Sequence, residues 1–314
     1  MTDPYFIVEL TTRCNFDCMY CYNIWKDDSA RSERQLSFSQ FRQIFDRICE
    51  QTAIRGVTLA GGEPLMHEDL HKIAAYLNDK GIRSGITTNG SLLGDTKIKE
   101  LIACGIIHFE VSLPSINSGS FQTLCRSGEL KEVRRALLNI RQHGAKLTVS
   151  CVISKMNYTE ITDIIELAVA FGADYFVLNR FIAGGNGLKY RNRLATDQEQ
   201  LSAALRMADS AAEKFKIPVT AAVPVEHCLL NTRDLTNLHF GTCGCGDAKW
   251  VIDPWGNLRT CEQNPEAVGN LLEMNFSVLA QKPAVLRFRN DDLYQDCKSK
   301  KCYERCGGGC RFGR

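Results

Sequence analysis

The sequence lacks any apolar run that could cross a bilayer, and its start lacks the basic-then-apolar pattern of a secretory signal. The net charge is small, at +2, so electrostatics give no reason to expect nucleic acid or an anionic membrane as a partner. We find no internal repeat and no low-complexity tract. These absences predict a globular, cytoplasmic protein that binds neither membrane nor nucleic acid.

Cysteine is frequent, but not frequent enough for a disulfide scaffold. The chain has 15 cysteines in 314 residues, and seven of them fall within residues 243–310. In a reducing compartment, such clusters indicate metal sites rather than disulfides. Four others lie singly in apolar helix or strand patterns, and we expect them to be buried small hydrophobic residues: Cys49, Cys104, Cys125 and Cys151.

A short loop near the amino terminus carries three cysteines, Cys14, Cys18 and Cys21. It follows an apolar run at residues 5–10 that predicts a buried strand. A CxxxCxxC loop can supply thiolates to three corners of an iron-sulfur cube, which leaves the fourth iron without a protein ligand. An open metal position is typical of a site that binds a small molecule. A zinc knuckle is the alternative, although no histidine follows within the loop.

The cysteine loop, with Tyr20 directly before its last cysteine, resembles the signature of the radical S-adenosylmethionine (SAM) superfamily. The resemblance implies that the open iron binds the amino and carboxylate groups of SAM. It further implies that an electron from the cluster cleaves SAM to a 5'-deoxyadenosyl radical, and that the electron comes from a flavodoxin- or ferredoxin-type donor.

Strand and helix patterns alternate along the first two thirds of the chain. The predicted strands lie at residues 5–10, 54–59, 82–88, 107–113, 146–153 and 175–178, and one more is possible at 217–223. Six strands, each followed by a helix, imply parallel pairing with right-handed crossovers. We therefore predict an α/β fold, a partial (β/α)6 TIM-like barrel at residues 1–220, with a small Cys-rich domain at residues 221–314.

Candidate site residues gather at the predicted carboxyl ends of the strands, where parallel sheets place their chemistry. Gly61-Gly62-Glu63-Pro64 follows the second strand and resembles the superfamily's GGEP turn, which implies contact with the SAM amino group. An ordinary turn is the alternative. The remaining candidates for binding SAM or substrate are Thr88, Asn89, Ser112, Arg126, Asn179 and Arg180. The sequence after Ser112 departs from the pattern of the family, because Pro114 and Ser115 replace the usual acidic residue and glycine.

The C-terminal cysteines form a second constellation. Cys245, Gly256 and Cys261 frame a predicted hairpin, and Cys297, Cys302, Cys306 and Cys310 follow. The pattern resembles the SPASM extension of radical SAM enzymes. That resemblance implies one auxiliary 4Fe-4S cluster on Cys245, Cys261, Cys310 and Cys243, and a second, farther cluster on Cys297, Cys302 and Cys306.

The C-terminal cysteines differ from the SPASM pattern in two respects. The first gap in the four-cysteine group is four residues instead of two, and the final cysteine of the pattern is missing. The farther cluster therefore recruits Cys228, uses a non-cysteine ligand, keeps an open iron or is absent. Structural zinc is the alternative for the whole region.

Glu262, directly after Cys261, resembles a carboxylate that related peptide maturases are proposed to use as a base, and an exposed hairpin glutamate is the alternative. Similar proteins most often modify peptides or protein side chains by oxidation, crosslinking or epimerisation. The chain begins about four residues before its first strand, so we expect a peptide substrate to be bound by the barrel or by a separate peptide-binding protein. A small-molecule enzyme acting on a sugar or antibiotic precursor, and a non-catalytic metal-binding protein, are the other hypotheses.

Overall fold

The computed structural model describes residues 3–26, 33–228, 230–290 and 303–313. In these ranges the strands, numbered β1 to β11, are Tyr5–Glu9, Gly56–Ala60, Ser84–Thr88, His108–Ser112, Lys146–Ile153, Tyr175–Arg180, Val219–Ala221, Leu238–Phe240, Lys249–Ile252, Asn257–Arg259 and Gly269–Asn270. The helices, numbered α1 to α12, are Phe38–Cys49, Leu70–Asp79, Asp95–Ala103, Ser118–Cys125, Leu130–Gln142, Ile161–Ala170, Asn186–Lys189, Arg191–Leu194, Gln198–Phe215, Phe276–Leu279, Pro283–Asn290 and Tyr303–Cys306. None of the helices in these ranges combines the length and apolar character that a bilayer crossing requires.

The strands form one sheet in the order β11-β10-β9-β1-β2-β3-β4-β5-β6-β7-β8. Every neighbouring pair from β9 through β1 to β8 is parallel, and only β9–β10 and β10–β11 are antiparallel. All six predicted strands are present, and the possible seventh is confirmed as β7. Since the order has two ends, the described sheet is an open, partial barrel with the predicted α/β architecture.

Helix α1 illustrates how local sequence sets an element. Ser37 is its N-cap in a complete capping box with Gln40. Phe41, Ile44, Phe45 and Ile48 recur at helical spacing and are buried. Cys49 is exposed, so its predicted burial is wrong. It lies about 100° around the helix from Ile48, beyond the edge of the buried stripe.

The other three single cysteines follow the expectation more closely. Cys125 and Cys151 are buried at 1% exposure, and Cys104 is half-buried.

The two faces of the parallel strands differ in exposure. Outward side chains such as Phe6, Val8 and Val111 are 0% exposed, because they pack in the core under the helices. Inward side chains such as Thr58 and Thr87 alternate with them and are partly exposed. The interior of the partial barrel is therefore reachable by solvent and partly polar.

The C-terminal hairpin continues the same sheet. Strand β9 pairs with the free side of β1, and a buried ion pair joins Glu9 of β1 to Arg259 of β10. Arg259 also donates to the carbonyl oxygens of Glu262 and Asn264, at 3.1 and 2.9 Å. These contacts attach the hairpin to the first strand of the barrel, and the proposed division at residue 220 stays a prediction.

Candidate functional site

The cysteine loop begins directly after β1, at the carboxyl end of the strand. Its three thiols are partly buried, and burial raises the pKa of Cys14 to about 12 and that of Cys21 to about 11. A hydrogen bond with Cys125, together with burial, raises the pKa of Cys18 well above its usual value. Thiols in such surroundings ionise only when a metal supplies the compensating positive charge.

The spacing of these thiols bears on which metal they fit. Four thiolates around one zinc ion lie about 3.8 Å apart, since each Zn–S bond is about 2.3 Å. Within the described residues, Cys245, Cys261 and Glu262 bring their ligand atoms within 4.8 Å of one another, but the three loop cysteines do not. The loop therefore fits a cluster in which each thiolate has its own iron better than it fits a single ion.

The GGEP turn packs directly on the start of the cysteine loop. The amide of Gly62 donates to Thr11 and that of Glu63 donates to Arg13, both at 2.7 Å. A Cβ on Gly62 would lie 2.1 Å from the Arg13 carbonyl oxygen, and one on Gly61 would lie 2.7 Å from the Thr11 oxygen. Only glycine permits this approach, so the turn sets the position of the loop.

Glu63 is the third residue of the turn, and it is 1% exposed. Its carboxylate accepts hydrogen bonds from the Thr88 hydroxyl at 2.7 Å, the Asn89 amide at 2.9 Å and the Leu65 amide at 3.2 Å. Burial raises the pKa of Glu63 to about 7 despite these bonds. Asn89 in turn donates to Asn15 of the cysteine loop at 2.9 Å. These contacts join the ends of β2 and β3, and a contact of Glu63 with the SAM amino group stays a prediction.

Sequence reasoning missed a segment that packs on the later part of the cysteine loop. The side chain of Asn186, in α7 after β6, donates to Asp17 at 2.7 Å and to the Cys18 carbonyl at 3.3 Å. Gly185 has φ of +47°, and a Cβ there would lie 2.3 Å from the Asn23 carbonyl oxygen. The dense glycines at 184–187 were the available signal for such a close approach.

Tyr20, Cys125 and Arg126 lie against the cysteine loop. The Tyr20 hydroxyl is 3.8 Å from the Cys125 thiol. Arg126 adopts a left-handed conformation at the end of α4, with φ of +59°, and its guanidinium lies 3.5 Å from the Asp17 carboxylate and contacts the Tyr190 hydroxyl. The structure thus brings Tyr20 and Arg126 to the predicted cluster, and their contacts with SAM stay predictions.

The polar residues at the ends of β4 and β6 are placed differently. Ser112 lies opposite Ser150 in the sheet register and is partly exposed inside the barrel. Arg180 forms a bidentate ion pair with Glu226, at 2.7 and 2.9 Å, and Asn179 accepts from the Val223 amide at 3.2 Å. Ser112 is therefore open to a ligand, whereas Asn179 and Arg180 already have protein partners.

The ion pair of Arg180 connects the barrel to the C-terminal cysteines. A Cβ on Gly313 would lie 2.2 Å from the Arg180 guanidinium, and one on Gly309 would lie 2.5 Å from the Glu226 carboxylate. The segment that carries Cys310 therefore packs on this pair.

Several of the C-terminal cysteines converge. Contact with Cys245 and burial raise the pKa of Cys243, and the Cys245 and Cys261 thiols also contact each other. Cys310 lies within electrostatic reach of Cys243 and is 9% exposed. Of the cysteines predicted for the farther cluster, Cys306 is 3% exposed, while Cys297 and Cys302 lie outside the described residues. Cys228 is exposed.

Glu262 stands between the two cysteine groups. Its carboxylate lies 3.0 Å from the Lys249 ammonium and 3.6 Å from the Cys261 thiol. Burial acts to raise the pKa of Glu262, but the Lys249 charge and the hydrogen bonds from the Glu262 amide, Lys249 and Cys261 together keep the pKa below its usual value. Burial raises the pKa of the Tyr22 phenol well above its usual value, and the nearby charges of Glu262 and Cys21 add to this rise. The hairpin and the first cysteine loop therefore face the same space, and Glu262 is only slightly exposed there, its side chain at 16%.

Residues 8–168 match the family model of the radical SAM superfamily, and the chain belongs to that superfamily. It is therefore a radical SAM enzyme, and the family implies a 4Fe-4S cluster and SAM as its cofactors. Among curated relatives, the PqqA peptide cyclase of Bradyrhizobium diazoefficiens is 25% identical over 97% of this chain and 80% of its own length. The Fe-coproporphyrin III synthase of Methanosarcina barkeri is 29% identical over 60% of this chain and 47% of its own.

Among solved structures, Streptococcus suis SuiB bound to the precursor peptide SuiA matches with a TM-score of 0.80. The match covers 99% of this chain and 72% of the SuiB chain at 16% identity, so it establishes the shared fold alone.

Proposed function

We propose that this radical SAM enzyme modifies a peptide or protein substrate at an unactivated carbon. The observation that carries the proposal is the partly polar, solvent-reachable barrel interior beneath the cysteine loop, where a substrate can lie beside the reacting end of SAM. The relation to PqqA peptide cyclases over almost the whole chain supports a peptide, and the fold shared with SuiB in complex with a precursor peptide agrees with it.

When bound and reduced, the cluster and SAM supply a radical that abstracts hydrogen from carbon. The chain's own residues hold the cofactors and exclude water. Cys14, Cys18 and Cys21 bind the cluster, and the GGEP turn fixes the loop that carries them. Ser112 and Arg126 reach SAM from the ends of β4 and α4. Asn186 holds the later part of the loop through its bonds to Asp17 and Cys18.

We further propose that the C-terminal cysteines bind one or two auxiliary 4Fe-4S clusters. The contacts among Cys243, Cys245 and Cys261, with Cys310 close by, support the nearer cluster. Thiols that already lie side by side need little rearrangement to accept metal. Zinc is the competing metal, because the ligand atoms of Cys245, Cys261 and Glu262 also lie close enough together to bind a single ion.

Glu262 is proposed as the group that accepts a proton from the substrate once hydrogen has been abstracted. Its place between the two cysteine groups supports this role, and the adjacent ammonium of Lys249 keeps its carboxylate in the ionised form that a base needs. Because that ion pair also weakens the carboxylate as a base, the substrate must approach closely enough to compete with Lys249.

The proposal extends to partners and compartment. A flavodoxin- or ferredoxin-type protein would deliver the electron, and a separate peptide-binding protein would present the substrate. Free thiols in this number require a reducing environment, which supports the cytoplasm.

The test compares wild-type protein with the Cys14→Ala/Cys18→Ala/Cys21→Ala variant, both reconstituted with iron and sulfide without air. With SAM and dithionite the wild type should form 5'-deoxyadenosine, and the variant should form none while retaining C-terminal metal. Iron and zinc analysis of the variant then decides between auxiliary clusters and structural zinc. A wild-type preparation that holds only zinc, or that leaves SAM intact, would refute the assignment.

The substrate class is tested by mass shifts. Wild-type enzyme is incubated without air with SAM, dithionite and short peptides encoded beside its gene, and in parallel with tetrapyrroles and sugar precursors. A hydrogen loss or crosslink in a peptide supports the proposal. A product from a tetrapyrrole alone would instead favour a reaction class like that of the Methanosarcina relative, and a product from a sugar alone would favour the other small-molecule hypothesis.

A further inference from the structure

In the part of the chain that the structure describes, one carboxylate inside the partial barrel, that of Glu110, has no cationic partner. Glu110 is the middle residue of β4, and its neighbours Phe109 and Val111 are 0% exposed in the core outside the barrel. Because successive side chains of a strand point to opposite faces, Glu110 points inward. It is partly exposed there, so the carboxylate borders the space that solvent reaches.

The neighbours of Glu110 are hydroxyl groups. In the sheet register it lies between Thr87 of β3 and Thr148 of β5, and the Ser150 hydroxyl hydrogen-bonds to its carboxyl group. Burial raises the pKa of Glu110, with only the Ser150 hydrogen bond opposing it. Within the described part of the chain, no lysine, arginine or histidine forms an ion pair with this carboxylate.

Other acids that face the barrel site already have partners, and Glu262 is paired with Lys249. Glu9 is paired with Arg259, and Glu63 accepts from two amides and a hydroxyl. Glu110 differs from these acids, because among the described residues a single neutral hydrogen bond, from Ser150, compensates its charge. A carboxylate removed from bulk water in this way is stabilised when a cation or further hydrogen-bond donors reach it.

Glu110 lies a short distance along β4 from the strand ends, where SAM is predicted to bind. Ser112, the predicted SAM contact, follows two positions later on the same face of the same strand. At about 3.3 Å per residue, Glu110 lies roughly 6.6 Å below Ser112. A substrate group bound to Glu110 would thus sit one side-chain layer beneath the ligand at the strand ends.

We propose that Glu110 is a specificity-determining residue that binds a cationic group of the substrate, an alkylammonium or guanidinium such as a lysine or arginine side chain supplies. This inference rests on the proposed function, because it assumes that substrate enters the barrel interior. The hydroxyl of Thr87 lies beside the carboxylate and can accept a remaining N–H group of such a cation, whereas the Thr148 hydroxyl is already bonded to His108. A substrate with an anionic group at that position would be repelled.

The experiment uses reconstituted holoenzyme and two probes with the same four-carbon side chain, Nα-acetyl-lysine amide and Nα-acetyl-norleucine amide, of which the lysine probe alone carries a terminal ammonium. Equilibrium dialysis without air measures the affinity of each probe for the wild type, for Glu110→Gln and for Glu213→Gln. Glu213 is an exposed residue of α9 and serves as the matched control. Iron content and thermal unfolding establish that each variant is folded and loaded.

The wild type and Glu213→Gln should bind the lysine probe roughly tenfold more tightly than the norleucine probe, a difference of about 1.4 kcal/mol. Glu110→Gln keeps a side chain of the same shape that can still bond Ser150, but it should bind both probes alike. Equal binding by the wild type, or a lysine preference that survives in Glu110→Gln, would overturn the inference. Formation of 5'-deoxyadenosine by the same preparations tests the proposed function separately, since the dialysis result does not depend on SAM cleavage.

Discussion

The contact between the GGEP turn and the cysteine loop leads to a sharp prediction for Gly62→Ala. The added Cβ would lie 2.1 Å from the Arg13 carbonyl oxygen and 2.6 Å from its carbonyl carbon. Both are backbone atoms, so no side-chain rotation relieves the clash, and the turn and the loop must separate by about 1 Å.

The cost follows from the bonds that this separation breaks. The amides of Gly62 and Glu63 donate to Thr11 and Arg13 at 2.7 Å, and a 1 Å shift removes both hydrogen bonds. Each contributes about 1 kcal/mol net, so we expect a loss of about 2 kcal/mol in the free energy of unfolding. Displacement of a catalytic group by about 1 Å lowers rates by roughly 100-fold. We therefore expect 5'-deoxyadenosine formation to fall by about that factor.

The assay combines urea unfolding, iron analysis and the rate of 5'-deoxyadenosine formation. Gly94→Ala is the control, because Gly94 has φ of −81° and a Cβ there would meet nothing within 4 Å. Gly94 is the N-cap of α3, where Ala is less favourable than Gly, so the control should lose no more than about 1 kcal/mol and should keep its iron. If Gly62→Ala matched the control in stability, iron content and rate, the reasoning that the turn positions the cysteine loop would be refuted.

Three further predictions concern buried charges. Arg259→Met strands the Glu9 carboxylate and should lower the free energy of unfolding by about 3–5 kcal/mol in urea titrations, and Glu9→Gln in the same chain should recover part of that loss. The folded-state pKa of Glu63 is about 7 against an ordinary 4.5, so the folded state binds the proton more tightly. This group should therefore lower stability by up to about 3 kcal/mol as pH rises from 4.5 to 7, and Glu63→Gln should flatten that slope. Glu262→Gln should retain 5'-deoxyadenosine formation but lower the yield of modified peptide about 100-fold, measured by mass spectrometry, whereas unchanged product would exclude Glu262 as the base.

Sequence alone predicted the features that depend on neighbours along the chain. The spacing of Cys14, Cys18 and Cys21 fixes which thiols share a loop, and apolar periodicity fixes which residues form strands and helices. The capping box of Ser37 and Gln40 is a signal of the same kind, because its two residues lie three positions apart in the chain. Such signals need no knowledge of the fold.

The tertiary structure decided the features that depend on which strands become neighbours. Strand β9 lies beside β1 although more than 200 residues separate them, and only that pairing lets Arg259 meet Glu9. Asn186 reaches the cysteine loop through the path of the chain after β6. No local pattern marks Glu110 as unpaired, because a charge is paired or unpaired according to the register of the adjacent strands. Side chains that meet across a sheet are chosen by long-range packing, and this is why the spacing of the cysteines was readable in advance while the polar lining of the barrel was not.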